Sequence, residues 1–125
     1  MQDRERLINN YIDGYNQFDI DKMVSDFDEN IVFENISNGV RTMSLTGLKA
    51  FKEQAEQAKN YFSERTQTIQ SFTHRKDETE IEINYTAILA MDFLNGLKKG
   101  EALQLQGRSI FKFSGNRIIG LTDIS

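Results

Sequence analysis

Apolar residues recur at helical spacing through the first part of the chain. A first helix with one apolar stripe is predicted from Leu7, Ile8, Tyr11, Tyr15 and Phe18. Gly14 interrupts this helix at a cost of about 1 kcal/mol relative to alanine, which indicates a close packing contact. Asp19 is expected to cap a second, short helix. The inner face of that helix is predicted to consist of Ile20, Met23, Val24 and Phe27.

A strand and a third helix are predicted next. Residues 31–36 alternate in polarity, which places Phe33 and Asn35 on the same face of a strand. A loop through Asn38-Gly39 then leads to a helix with Thr46 as its N-cap. The apolar side of this third helix is predicted to consist of Leu48, Phe51, Ala55, Ala58 and Phe62.

From residue 64 onward the apolar period changes to two, which is typical of strands. The predicted strands are 64–73, 80–93, 102–113 and 117–124. Gly107 lies inside the third of them and is interpreted as a bend or bulge. One face of the second is predicted to carry Ile81, Ile83, Tyr85, Ala87, Leu89, Met91 and Phe93.

This order of elements predicts an α+β domain, with three N-terminal helices packed on one face of a strongly curved antiparallel sheet. A curved sheet closed by helices forms a cone that encloses a pocket, and a ligand is expected to bind there. The 125 residues fit a single domain, 1–125, with no internal repeat or linker.

Composition narrows the classes of function. The net charge is −4 and the basic residues are scattered, so nucleic acid is not an expected partner. The chain has no cysteine, and its single histidine, His74, is expected in an exposed turn, so neither a metal nor another cofactor is predicted. No run approaches the ~20 apolar residues of a membrane span, and no signal-peptide pattern is visible. We therefore expect a cytoplasmic protein without a membrane partner.

Four segments together carry a resemblance to a known superfamily. They are YIDGYNQFDIDKMV (11–24), IVFEN (31–35), LTGLKAF (45–51) and NRIIGLTD (116–123). In this order they resemble the nuclear transport factor 2-like superfamily, which includes ketosteroid isomerases, limonene epoxide hydrolases and SnoaL-like polyketide cyclases. The resemblance implies a cystatin-like cone. It does not imply one activity, because this fold hosts several kinds of enzyme as well as non-catalytic binding modules.

Comparison with the ketosteroid isomerases excludes their activity for this chain. Tyr11 falls where they place a tyrosine that donates to the developing oxyanion, and Ser109 falls near their second donor. Asn35, however, falls where they carry the aspartate base, and an amide does not accept a proton near neutral pH. Glu34 is expected to point to the opposite face of its strand. A standard ketosteroid isomerase is therefore excluded.

Asp123 is the best remaining carboxylate. If the odd-numbered residues of the last strand face the pocket, Asp123 is a candidate base with Tyr11 as its donor. The alternatives are a structural acceptor at Asp123 and simple packing of Tyr11. An epoxide-hydrolase arrangement of two aspartates and an arginine is disfavoured, because Asp92 and Arg108 are expected on the convex face.

Two kinds of function stay open. The first is binding of a small, mostly apolar molecule, with acid–base chemistry of the isomerase, cyclase or hydrolase type. Its pocket is predicted to be lined by Tyr15, Phe18, Phe33, Asn35, Phe51, Phe62, Tyr85, Leu89, Leu105, Ser109 and Phe111. The second is a non-catalytic interaction module that forms a homodimer through the convex sheet face, which a monomeric mass in light scattering would contradict. That face is predicted to consist of Ile88, Ala90, Gln104, Gln106, Ile110, Ile118 and Thr122.

Overall fold

Three α-helices and six β-strands make up the fold. The structure, a computed structural model, describes residues 2–125. The helices are α1 (Gln2–Asn16), α2 (Ile20–Val24) and α3 (Leu48–Ala58), the last followed by a short 3₁₀ helix (Lys59–Tyr61). The strands are β1 (Phe27–Ser37), β2 (Val40–Thr46), β3 (Phe62–His74), β4 (Glu78–Leu89), β5 (Ala102–Ser114) and β6 (Arg117–Ile124).

The strands form one sheet in the order β2-β1-β6-β5-β4-β3. The α+β prediction is confirmed, with three helices packed against the sheet, but the sheet is mixed because β1 and β6 run parallel. The sheet is also open, with β2 and β3 at its edges. β2 was predicted to be a loop. Its side chains are mostly exposed, so this edge strand carries little of the apolar alternation by which strands are recognised.

The helix boundaries confirm one of the two predicted N-caps and correct the other. Asp19 caps α2 as predicted, and its carboxylate accepts a hydrogen bond from the Lys22 amide at 3.1 Å. Thr46 does not cap α3; it ends β2, and Gly47, at φ +98°, precedes the helix instead. Phe27 and Phe62 are also corrected, because each begins a strand and neither lies on a helix.

Two glycines are explained by close backbone approaches. A Cβ at Gly14 would lie 2.6 Å from the Met23 amide nitrogen, which confirms the predicted tight contact of α1 with α2. A Cβ at Gly107 would lie 2.9 Å from the carbonyl oxygen of Ile124. The pairing of β4 with β5 continues through Gly107 without a register shift, so the predicted bulge there is wrong.

The irregularity that matters lies in β6. Ile118 pairs with Phe113 and Gly120 pairs with Lys112, so the register shifts at Ile119. Ile118 is therefore fully buried, not on the outer sheet face as predicted, while Ile119 is 38% exposed. Beyond the shift, Leu121 is buried and Asp123 faces the cavities described below.

The core lies between the helices and one face of the sheet. Its most buried members are Ile8, Ile31, Ile81, Leu89, Phe111, Ile118 and Leu121. Tyr11 of α1 stacks on Phe27 and meets Phe111 edge-on, at ring-centroid distances of 5.5 and 5.6 Å. Within residues 2–125 no helix combines the length and the apolar character needed to cross a membrane.

Candidate functional site

Two adjoining cavities lie beside the core and share Tyr15, Asn35 and Asp123. The first has a volume of about 200 Å³ and the second about 190 Å³. The other residues of the first cavity are Tyr11, Met23, Phe33, Met43, Phe51, Gln54, Ala55, Ala58 and Arg65. The other residues of the second are Gln67, Ile83, Tyr85, Leu105, Gln106, Gly107, Arg108, Ser109, Ile124 and Ser125.

The cavities bring together many of the residues singled out from the sequence. The first contains Tyr11, Tyr15, Phe33, Asn35, Phe51 and Asp123, and the second adds Tyr85, Leu105 and Ser109. Four others line neither cavity. Phe111 and Leu89 are packed in the interior, Phe62 meets the edge of Tyr85, and Phe18 lies under the guanidinium of Arg65.

Asp123 is held by its neighbour on β5. The Ser109 hydroxyl donates to Asp123 Oδ1 at 2.7 Å, and the two residues are register partners in the sheet. The Ser109 hydroxyl thus donates its hydrogen bond to Asp123, whereas the resemblance implied that it donates to a ligand. Burial raises the pKa of Asp123 to about 6, although the Ser109 hydrogen bond acts in the opposite direction. The carboxyl group therefore changes charge close to neutral pH.

Tyr11 lines the first cavity together with Asp123. Its side chain is 5% exposed. Burial raises its pKa well above the usual tyrosine value, and the charge of Asp123 raises it further, while the cation of Arg65 lowers it. The hydroxyl therefore keeps its proton at neutral pH and is available as a hydrogen-bond donor.

A second hydroxyl pair connects the cavities. The Tyr15 hydroxyl donates to the Tyr85 hydroxyl at 2.9 Å. Burial is the main cause that raises the pKa of both groups, so both stay protonated. Because the Tyr15 hydroxyl donates this hydrogen bond, the hydroxyl hydrogen of Tyr85 is free for another acceptor, and Tyr85 lines the second cavity.

Sequence reasoning missed two polar residues on β3. Arg65 and Gln67 are 3% and 8% exposed, and each lines one of the cavities. Only Ile69 on this part of β3 is apolar, so the inward face has a weak hydrophobic signal. The alternation of a strand could have identified them. Residues 65, 67 and 69 share one face of the strand, and Ile69 on that face packs against the core.

The other polar candidates are engaged elsewhere. Asn35 lines both cavities and donates from its amide to Thr42 at 2.9 Å. Arg108 borders the second cavity, but its guanidinium pairs with Glu80 at 3.3 Å. Asp92 accepts a hydrogen bond from the Lys99 amide in the loop after β4. Asp92, Arg108 and Asp123 therefore do not form the epoxide-hydrolase arrangement.

His74 is not the solvated turn residue that was expected. Its ring lies 2.7 Å from Glu5 Oε2 and 2.9 Å from Thr79 Oγ1. The order carboxylate, imidazole, hydroxyl resembles a hydrolytic triad, but Thr79 is fully buried and no substrate reaches it. The cluster joins α1 to the β3–β4 hairpin. Among the described residues, no group of three His, Asp or Glu side chains is placed to hold a metal ion.

A family model described as the SnoaL-like domain matches residues 8–121. Comparison with curated protein sequences finds no match. The fold is shared with several solved structures. One is a protein proposed to be a polyketide cyclase from Xanthomonas campestris pv. campestris, with 17% identity, a TM-score of 0.84, and coverage of 99% of this chain and 90% of the other.

Two further structures illustrate the range of the fold. A protein proposed to be a SnoaL-like polyketide cyclase from Jannaschia sp. CCS1 has 11% identity and a TM-score of 0.79, covering 98% of this chain and 84% of the other. An LEH-like epoxide hydrolase from M. tuberculosis has 13% identity and a TM-score of 0.77, covering 98% and 82%. At these identities the likeness establishes the fold alone.

Proposed function

We propose that this chain, which belongs to the SnoaL-like domain family, binds a small, mostly apolar molecule in the two cavities and removes a proton from it with Asp123. One observation carries the proposal: the Asp123 carboxyl group lies in the wall of a cavity that Phe33, Phe51 and Met23 also line, and burial there raises its pKa to about 6. A general base is most effective when its pKa lies near the working pH.

Asp123, Tyr11 and Ser109 each have a role in such a reaction. Above about pH 6, the Asp123 carboxylate accepts a proton from a carbon beside a carbonyl group of the ligand. The electron pair moves to the carbonyl oxygen, and the protonated Tyr11 hydroxyl donates a hydrogen bond to the charge that develops there. Ser109 fixes the carboxylate through its 2.7 Å hydrogen bond. Isomerisation and cyclisation both begin with such an enolate.

The test uses a substrate whose reaction needs only a base, so that a rate above that of a carboxylate in water reports on the cavity. 5-Nitrobenzisoxazole loses the proton on C3 to a base, its N–O bond breaks, and 2-cyano-4-nitrophenolate leaves. We expect the chain to catalyse this reaction with saturation by the substrate. The Ala58→Phe variant, which fills the first cavity, is expected to lose at least about 10-fold in kcat/KM, because excluding the substrate removes its binding energy.

Ala50→Phe provides the matched control. Ala50 also lies on α3 but does not line either cavity, so its variant is expected to keep the rate of the unmodified chain. An equal rate in the chain, in Ala58→Phe and in a solution of acetate at the same carboxylate concentration would contradict the proposal. Near-UV circular dichroism establishes that both variants keep the fold.

The alternative function, a non-catalytic module that forms a homodimer, is supported by fewer residues than the sequence predicted. Without the buried Ile118, the outer face predicted for a homodimer retains the partly buried Ile88 and Ile110 among exposed Gln104 and Gln106. Homodimerisation through this face stays a prediction. A homodimer through this face would not by itself exclude catalysis, although Gln106 of this face also lines the second cavity.

A further inference from the structure

Arg65 is the most unusual side chain of the interior. It lies on the edge strand β3, is 3% exposed, and lines the first cavity. Its Nε donates to the main-chain carbonyl oxygen of Tyr15 at 2.9 Å. The guanidinium carbon is 3.8 Å from the ring centroid of Tyr15 and 4.4 Å from that of Phe18. Two aromatic rings and a carbonyl group therefore fix its position before any ligand binds.

The positive charge of Arg65 has no anionic partner among the residues that the structure describes. No carboxylate in residues 2–125 forms an ion pair with it, and its Nη2 is buried without a hydrogen-bond acceptor. A guanidinium carries five N–H donors, and the Nε–H group alone is bonded within this part of the chain. Burial of an unpaired charge is costly, so a side chain in this state points to a missing anionic acceptor.

Gln67 repeats this pattern two residues further along β3. It is 8% exposed, its Oε1 has no hydrogen-bond partner, and it lines the second cavity. Its backbone is anchored, because the Asn16 side chain bonds both the amide and the carbonyl group of Gln67, at 2.8 and 3.1 Å. Arg65 and Gln67 therefore lie on one face of one strand, each with an unused polar atom and each beside a cavity.

We propose that the cavities bind a planar aromatic molecule that carries a carboxylate, and that Arg65 is the residue that recognises it. A guanidinium matches a carboxylate with two parallel hydrogen bonds, and the apolar wall of Phe33, Phe51 and Met43 suits an aromatic body. Gln67 accepts or donates a hydrogen bond at the other end, in the second cavity. The proposal uses the cavities of the proposed function but does not depend on proton removal by Asp123.

The test compares a charged probe with its neutral counterpart. 2-Naphthoate and 2-naphthamide have the same ring and nearly the same shape, and isothermal titration calorimetry measures the Kd of each. We expect the chain to bind 2-naphthoate about 10- to 100-fold more tightly than 2-naphthamide, the range expected for hydrogen bonds to a charged group. Equal affinity for the two probes would overturn the proposal.

Variants of Arg65 locate the effect. Arg65→Met keeps most of the side-chain volume against Tyr15 and Phe18, and is expected to lose the preference for 2-naphthoate while binding 2-naphthamide within about 3-fold of the unmodified chain. Arg65→Lys keeps the charge but not the planar fork, so an intermediate affinity is expected. Arg41→Met removes an exposed arginine of β2 and is expected to change neither Kd. Unchanged 2-naphthoate binding in Arg65→Met would also overturn the proposal.

Two further comparisons allow the binding data to be interpreted. If Arg65→Met does not fold, the probe comparison in the unmodified chain and the Arg65→Lys variant still decide the question. Asp123→Asn separates this proposal from the proposed function: it is expected to bind 2-naphthoate at least as tightly as the unmodified chain, since a negative group leaves the cavity. Naphthoate binding with no proton abstraction by the unmodified chain would refute the catalytic role of Asp123 and leave that of Arg65 intact.

Discussion

Replacement of Asp123 by asparagine is expected to lower the rate of proton removal from 5-nitrobenzisoxazole by at least about 100-fold, the lower range for loss of a positioned general base. An amide has the shape of the carboxyl group but does not accept the proton. The Ser109 hydroxyl still has an oxygen to which it donates, so the cavity keeps its form. The measurement is kcat/KM from the release of 2-cyano-4-nitrophenolate at pH 8.

The pH dependence identifies the base. The rate of the unmodified chain is expected to rise with pH, with a midpoint of about 6, because burial raises the pKa of Asp123 to that value. Ser109→Ala is expected to move the midpoint upward, since the Ser109 hydrogen bond lowers this pKa. Asp92→Asn, which changes a carboxylate of the loop after β4, is the control and is expected to keep the rate. A full rate in Asp123→Asn would remove Asp123 from the mechanism.

Asp123→Asn is also expected to stabilise the protein at alkaline pH. The pKa of Asp123 is about 6 in the folded chain against the ordinary 3.8, so folding favours its protonated form. The stability that this group contributes is complete below about pH 3.8 and is lost as the pH rises through about 6. At pH 8 the charge of this partly buried carboxylate opposes folding, and asparagine removes it. We expect the free energy of unfolding to rise by about 1–3 kcal/mol at pH 8.

Urea unfolding followed by circular dichroism measures this change. At pH 4 the folded carboxyl group is already protonated, so Asp123→Asn is expected to change the free energy of unfolding little there. Asp13→Asn, at an exposed site on α1, is the control and is expected to have little effect at either pH. A variant that is less stable than the unmodified chain at pH 8 would contradict a raised pKa of the Asp123 carboxyl group in the folded chain.

The sequence predicted the parts of the fold that rest on strong local patterns. The apolar stripe of α1 as far as Tyr15, the Asp19 cap and the inward face of β4 as far as Leu89 follow from spacing and residue type, and each is found in the structure. Phe18 lies beyond the end of α1, and Met91 and Phe93 lie beyond the end of β4, so these parts of the predictions are wrong. The edge strand β2 was not predicted, because its mostly exposed residues show no clear alternation of apolar and polar positions. The parallel pairing of β1 with β6 joins segments at opposite ends of the chain, and no local pattern encodes it.

The cavity is harder to read from the sequence, because its polar residues depend on tertiary detail. The register shift at Ile119 decides which residues of β6 face inward, and alternation alone placed Ile118 on the wrong face. Arg65 resembles the surface arginines of any amphipathic strand until its burial is known. The roles of Tyr11 and Asp123 as donor and base stay predictions until the variants are measured.

The most direct measurement of the central claim is the titration of the Asp123 carboxyl carbon by nuclear magnetic resonance in the unmodified chain. It requires no substrate and reports on the group that the proposed chemistry uses. The account predicts a midpoint of about 6, set by burial of the carboxyl group in the cavity wall. A midpoint at or below the ordinary value of 3.8 would show a solvated or charge-paired carboxylate and would contradict the account.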